Sequence, residues 1–233
     1  MGVQSSFGFT LGRMEKGRLN KITDVPGVRV GHVTRHEGGI NTGVTAILPH
    51  TGDMFHDKCP AASHVINGFG KSIGLVQVNE LGTIETPLLL TNTLSVGTAA
   101  TALVKYMLER NADIGCDTGT VNPMVFECND GHLNDIRGLH VTEQNALDAL
   151  ANAADDFEEG AVGAGSGMSC YSLKGGIGSA SRVFELYGNK YTVGALLLTN
   201  FGTLRDLTIG GERVGERLYQ KKEAEKAAAE QQD

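Results

Sequence analysis

Two asparagines in this sequence stand at the ends of apolar runs. Pro87-Leu88-Leu89-Leu90-Thr91-Asn92-Thr93 and Ala195-Leu196-Leu197-Leu198-Thr199-Asn200-Phe201-Gly202 each close on a Thr-Asn pair. A side-chain amide carries two N–H donors that can be aimed at developing negative charge. A lone asparagine after a strand commonly does no more than begin a turn; the repeated pattern points instead to two amides, Asn92 and Asn200, projecting into one cleft. A second group lies in Asn122 to Arg137, NPMVFECNDGHLNDIR, where Glu127, Asn129, Asp130, Asn134 and Asp135 crowd into nine residues. Taken alone, that crowding reads as a polar loop. Because Glu127 directly follows Val125-Phe126, it is expected at a strand end beside the core.

The third group is the glycine-dense stretch Gly160 to Arg182, GAVGAGSGMSCYSLKGGIGSASR. Glycine at this density marks backbone that takes positive φ or admits close approach by another backbone or a ligand. The stretch is expected to be a loop forming the floor of a site, with Gly165 and Gly167 lining it. Known nucleotide motifs fail here. Lys174 has no glycine before it and no Ser or Thr after it, as a phosphate-binding loop would require, and Gly163, Gly165 and Met168 break the GxGxxG spacing. Ser166 and Ser169 lack the flanking glycines of a GxSxG elbow. His32 and His36 are four apart, but Gly38-Gly39 argues against a helix that would pair them on a metal, so no metal or cofactor is expected.

Behind these groups stand the elements that must position them. Ile22 to His32 reads as a Pro26-Gly27 turn feeding a strand, with Gly43 to Pro49 as its partner. The runs ending at Asn92 and Asn200 suit strands covered on both faces. Ser95 can cap a helix over Val96 to Arg110, whose Ala99, Ala100, Ala102, Leu103, Val104 and Met107 form a small-residue apolar face. Thr142 to Phe157 predicts a second helix with Ala146, Leu147, Leu150, Ala153 and Ala154 on one side. Arg205 to Ile209 reads as a strand before a Gly210-Gly211 turn, and from Glu212 the text becomes an exposed helical tail with little apolar face.

The chain has 233 residues, of which 40% are hydrophobic and 20% charged, a composition that fits one α/β domain. A chain of that length can bury roughly 70–75% of its unfolded surface, so a core forms without staples. The net charge of −7, with no basic block before the tail, argues against nucleic acid or an acidic membrane as partner. Cys59, Cys116, Cys128 and Cys170 are widely spaced and read as buried thiols in a reducing compartment. The N-terminus lacks the apolar core of a signal peptide and no run is long enough to span a bilayer, so a cytoplasmic protein is expected.

From Asp24 through Gly215 the sequence resembles the family of L-aminopeptidase/D-esterases and β-peptidyl aminopeptidases. Five blocks carry the resemblance in order: TDVPGVRVGH (23–32), TNTLSVG (91–97), PMVFECNDGHLNDIRG (123–138), the Gly160–Arg182 stretch, and VGALLLTNFGTLRDLTI (193–209). The resemblance implies a four-layer αββα sandwich of the N-terminal-nucleophile type, related to ornithine acetyltransferases. In that family a precursor cuts itself into an α chain and a β chain, and the new N-terminal serine of the β chain attacks short peptides, amides or esters. This chain is similar to the α part, with residues 1–211 as the catalytic portion and 212–233 as a flexible tail ending at the self-cleavage site. Asn200 matches the family's oxyanion donor and Glu127 the acid that holds the substrate's free amine. Asn129 falls near a position where some members carry a pocket tyrosine, which is a departure from the pattern. The implied partners are the β chain and further αβ pairs in a homo-oligomer. An acyltransferase of the ornithine acetyltransferase type, or a binding protein lacking the β part, are the alternatives.

Overall fold

The computed structural model describes residues 12–230. After a 3₁₀ turn at Ile22–Asp24 comes a hairpin: β1 (Arg29–Glu37) runs antiparallel to β2 (Ile40–Leu48), with Glu37 opposite Ile40 and the Gly38-Gly39 pair as a two-residue turn. Gly38 takes φ +56°, the left-handed geometry that such a turn demands. After β3 (Cys59–Pro60) comes α1 (Leu75–Leu81), a short helix that the sequence pattern did not reveal, followed by β4 (Thr83–Ile84), which pairs with β3. β5 (Leu88–Asn92) pairs antiparallel with β2 and parallel with β6 (Met124–Cys128), giving a mixed sheet in the order β1-β2-β5-β6.

The parallel β5/β6 pair needs a crossover, and α2 (Val96–Arg110) supplies it. Its buried residues are Val96, Ala99, Ala102, Leu103 and Met107; of the expected face, Ala100 and Val104 are only half-buried. The cap differs from expectation. Ser95 makes no side-chain capping bond and its hydroxyl is buried without a partner. Instead Asn92 Oδ1 accepts from the Ser95 N–H at 3.0 Å, capping the 3₁₀ turn Thr93–Ser95 that leads into α2.

The second helix, α3 (Glu143–Ala151), begins in a reciprocal Thr142/Asn145 capping box. It ends six residues before the expected Phe157 because Ala154 exchanges two backbone bonds with Val30 of β1, which takes the chain out of the helix. α3 lies directly on the sheet: a Cβ on Gly31 would sit 2.2 Å from the Ala149 carbonyl, so only glycine fits.

The glycine-dense stretch is only partly loop. It contains a 3₁₀ turn (Gly163–Gly165), the small hairpin β7 (Ser169–Cys170) and β8 (Leu173–Lys174), and then enters the long strand β9 (Ile177–Leu186). β9 pairs along its full length with β10 (Asn189–Leu198). This corrects the expectation of irregular backbone through Arg182: paired strand backbone tolerates Gly178 because its N–H and C=O are satisfied across the hairpin. Arg205 to Ile209 is likewise not a strand. Thr203 and Asp206 form a capping box around a 3₁₀ turn at Leu204–Asp206, and Arg205 is drawn to Glu216 at 3.1 Å in α4 (Val214–Glu230), the exposed C-terminal helix. Against the expectation of buried thiols, Cys116 is exposed, since it sits on the turn after α2, and Cys59, Cys128 and Cys170 are half-buried.

The described elements form three layers. One face of the mixed sheet presents Val44, Ala46, Leu89 and Val125 to α2 and α3. The other face presents Val30, Ile47, Leu90 and Phe126 to Ile177, Leu196 and Leu198 of the β9–β10 hairpin, with Phe157 and Ala164 between them. Both faces of β5 are therefore covered, which is why its sequence is a continuous apolar run. Among the described residues no helix is long and apolar enough to cross a membrane.

Candidate active site

The C-terminal ends of β5 and β6 lie side by side, with Thr91 opposite Glu127 and Asn92 opposite Cys128. The end of β10 reaches the same place from the second layer, where the Cys128 thiol meets the Leu198 carbonyl at 3.7 Å. The two sheets thus bring Asn92, Glu127, Asn129 and Asn200 to one edge. Both threonines of the Thr-Asn pairs anchor their strands. The Thr91 hydroxyl donates to the Gly43 carbonyl at 3.1 Å, and the Thr199 hydroxyl accepts from the Gly176 N–H at 3.1 Å. The asparagines that follow them do different work.

Asn92 turns inward. It is 1% exposed, its Nδ2 donates to Thr42 Oγ1 at 2.9 Å, and its Oδ1 is occupied by Ser95. Thr42 in turn donates to Asp130 Oδ2 at 2.6 Å, and Asn134 Nδ2 donates to Asp130 Oδ1 at 3.0 Å. Burial raises the Asp130 carboxyl above its ordinary value, and the Thr42 and Asn134 bonds oppose that rise. This closed chain of polar groups ties β2, β5 and the loop after β6 together. Its members were visible in the sequence only as scattered polar residues, since Thr42 lies 88 positions from Asp130.

Glu127 stays at the rim, half-buried. One carboxylate oxygen accepts from the Lys71 backbone N–H at 2.9 Å, and the other accepts from the Thr93 hydroxyl. Both donors are neutral, so the carboxylate is oriented without its charge being cancelled by them. That arrangement suits a cationic ligand group. The contribution of Thr93 and of the 63–73 segment was not legible from the sequence.

Asn200 bridges two loops. Its Nδ2 donates to the Asn129 carbonyl at 2.9 Å, and its Oδ1 accepts from the Ser169 N–H at 3.3 Å. Among the described residues nothing accepts from its second amide N–H, which can serve a ligand. Asn129 is exposed and its own side chain accepts from Gly131 at 2.9 Å, so its backbone, not its amide, meets Asn200. Asn200 borders a cavity of about 350 Å³ together with His132, Ser169, Ser172, Phe201 and Gly202. Ser172 brings in the turn Tyr171-Ser172; both residues are left-handed, at φ +52° and +57°, and the Tyr171 ring packs edge-on to Phe201 at 5.0 Å.

Gly165 and Gly167 lie beneath this surface. A Cβ on Gly167 would fall 2.2 Å from the Asn41 carbonyl, and one on Gly165 would fall 2.6 Å from the Ile177 nitrogen. They permit backbone-to-backbone packing under the site and do not border the cavity beside Asn200. The loop's later serines are stitched into the fold. Ser181 donates to Asp24 at 2.6 Å, and Ser179 to the Ala195 carbonyl at 2.7 Å. The Cys128 thiol is pushed up to about 11 by burial, with Glu127 adding to the rise, which keeps it a poor nucleophile. Lys174 places its ammonium on three backbone carbonyls, and burial lowers its pKa. Among the described residues no cluster of three His, Cys, Asp or Glu side chains could hold a metal ion.

A separate cavity of about 300 Å³ opens at the opposite end of the sheet, between His50, Pro87, Tyr106 and Arg110. It contains none of the candidate site residues.

Comparison with known proteins gives a consistent assignment. A family model described as peptidase family S58 matches residues 20–231. The chain is 42% identical over 212 residues to the β-peptidyl aminopeptidase BapA of Sphingosinicella microcystinivorans, covering 87% of this chain and 52% of that protein. It is similar to the crystal structure of the PH0078 protein from Pyrococcus horikoshii, with a TM-score of 0.92 and 56% identity, over 94% of this chain and 64% of that one. It is also similar to the L-aminopeptidase D-Ala-esterase/amidase of Ochrobactrum anthropi, described as a prototype serine aminopeptidase and a variant of the Ntn hydrolase fold. That match has a TM-score of 0.80 and 38% identity, over 89% of this chain and 60% of that one. The chain thus spans about half the length of that BapA.

Proposed function

Since this chain belongs to peptidase family S58, we propose that it forms the α portion of a serine aminopeptidase that releases N-terminal residues from short peptides, amides or esters. The observation that carries this reading is the meeting of two elements at one sheet edge: an amide with a spare N–H, on Asn200, and a carboxylate held by neutral donors, on Glu127, joined through the Asn129 backbone.

The attacking group in this reading is the N-terminal serine of a separate β chain made by self-cleavage of a precursor. Its α-amine titrates near ~8 and can take the hydroxyl proton without a histidine. Attack on the scissile carbonyl moves charge onto its oxygen, and the free N–H of Asn200 stabilises that oxyanion. The Asn129 carbonyl and the Ser169 N–H hold the amide still, so little reorganisation is needed as charge develops. The leaving amine departs with the proton, and water then hydrolyses the acyl-serine. Glu127 holds the substrate's ammonium, which selects a free chain end. Substrate class at the level of L-, D- or β-residues is set by groups outside this set.

The β9–β10 hairpin supports the partner reading. Its outward side presents Tyr191, Val193 and Leu197, the last two more than half exposed at 57% and 52%. A two-stranded ribbon with a bare apolar side is short of what an independent sheet needs. In our reading the β chain extends this hairpin and covers it, completing a four-layer αββα sandwich, and the αβ pairs assemble further in the cytoplasm.

The test is substrate discrimination by E127A, measured on matched amino-acid amides and N-blocked esters. Loss of kcat/KM confined to substrates with a free amine is expected. Equal loss on both classes would remove Glu127 from amine recognition.

A further inference from the structure

Among the described residues Lys174 meets no carboxylate. Its Nζ donates to the carbonyls of Gly165 at 2.9 Å, Met168 at 3.1 Å and Gly175 at 2.7 Å. An ammonium has three donors, and here backbone oxygens take all three. Among the described residues no acid lowers or raises its charge preference; burial alone acts on it. A surface lysine normally keeps its ammonium in water, so turning it onto three carbonyls marks a built contact.

The three carbonyls belong to the loop that carries Asn200's partner. Met168 O also accepts from the Gly175 N–H at 2.9 Å, closing the base of the β7–β8 hairpin. The next residue is Ser169, whose N–H orients Asn200 Oδ1 at 3.3 Å. From the other side, the Tyr171 N–H donates to the Phe201 carbonyl at 2.7 Å and fixes the residue after Asn200. The hairpin turn itself holds two non-glycine residues at positive φ, Tyr171 and Ser172. Such a turn persists only where its surroundings over-determine it.

We infer that Lys174 is a positioning residue: its ammonium serves as a built-in counter-cation that gathers the Gly165, Met168 and Gly175 carbonyls and so fixes the Ser169 N–H against which the Asn200 amide is aimed. Three carbonyl oxygens that converge on one cation form the kind of cage that replaces the hydration shell of potassium. Removing the lysine side chain should therefore leave a site that a monovalent cation can fill. The inference rests on Asn200 being the oxyanion donor, as proposed above.

The experiment uses enzyme expressed from the complete gene, with K174A assayed on an amino-acid p-nitroanilide in sodium, potassium, ammonium or tetramethylammonium chloride at equal ionic strength. K174A should lose ~10-fold or more in kcat with KM little changed, since small misplacement of a catalytic group can cost about 10²-fold. Potassium or ammonium should restore much of that loss, tetramethylammonium should not, and wild type should respond to none of them. Wild-type kcat in K174A, or a loss that no cation relieves, overturns the inference. N200A, run alongside, separates the two claims. Unchanged kcat in N200A defeats the oxyanion reading itself, whereas a loss in N200A with full activity in K174A defeats only the role of Lys174. Should K174A fail to fold, the side-chain ammonium signal of Lys174 in wild type decides by NMR: slow hydrogen exchange and a shift perturbed by N200A are expected, and a freely exchanging, unperturbed ammonium rules the coupling out.

Discussion

The Asn200 side chain donates to the backbone carbonyl of Asn129 at 2.9 Å, across a gap of 71 residues in sequence. This one bond joins the end of β10 to the end of β6 and brings the amide beside the segment that carries Glu127. It uses one N–H of the amide and leaves the other for a ligand.

That division of labour predicts the behaviour of N200A. Loss of a single preorganised oxyanion donor typically costs ~10²–10³ in kcat. We expect a fall of that order with KM for a small amide substrate little changed, checked by steady-state kinetics. Wild-type turnover in N200A would show that the oxyanion is stabilised elsewhere.

Asn92 predicts the reverse pattern. Its amide is committed to Thr42 and Ser95 in the core, so N92A removes a cap and leaves a buried hydroxyl short of a partner. A stability loss of about 1–3 kcal/mol is expected, read as a lower midpoint in denaturant, while KM holds. A raised KM at unchanged stability would put this amide in contact with substrate.

The contrast between the two asparagines shows what the sequence can and cannot tell. Both follow an apolar run and a threonine, and both threonines anchor a strand end. Asn92 faces inward because β5 is central in its sheet and Thr42 of β2 lies within reach; Asn200 ends a strand of a two-stranded hairpin, where the rim is open. Strand neighbours decide the outcome, and these are not local in sequence. The helix at Val96–Arg110 was legible because its small-residue period is local. The end of α3 was not, because Ala154 leaves the helix for a partner 124 residues earlier, Val30. The alternation at Arg205 to Ile209 reads as a strand, yet the local Thr203/Asp206 box and the pull of Glu216 win. The lysine on three carbonyls had no sequence signal beyond its place in a glycine-dense stretch.

His56 supplies a pH prediction away from the site. Its ring bridges Asp53 at 2.6 Å and Asp113 at 2.9 Å, and these bonds raise its pKa above the ordinary 6.5. A histidine whose folded pKa is raised favours the folded state below its unfolded value and loses that contribution as pH rises through the folded value. Wild type should therefore exceed H56Q in thermal midpoint most clearly just below pH ~6.5, where both aspartates are still ionised, and the gap should close as pH rises past the raised value. A gap that stays constant across neutral pH would contradict the ion-pair account. Because the ring is exposed, the effect should also shrink in high salt.

The central claim is that this chain works with a serine nucleophile generated by self-cleavage. The most direct measurement is a denaturing intact-mass spectrum, with N-terminal sequencing, of active protein expressed from the complete gene. The account predicts two polypeptides, one containing the residues described here and a second whose first residue is serine. A single uncut polypeptide with full aminopeptidase activity would contradict it.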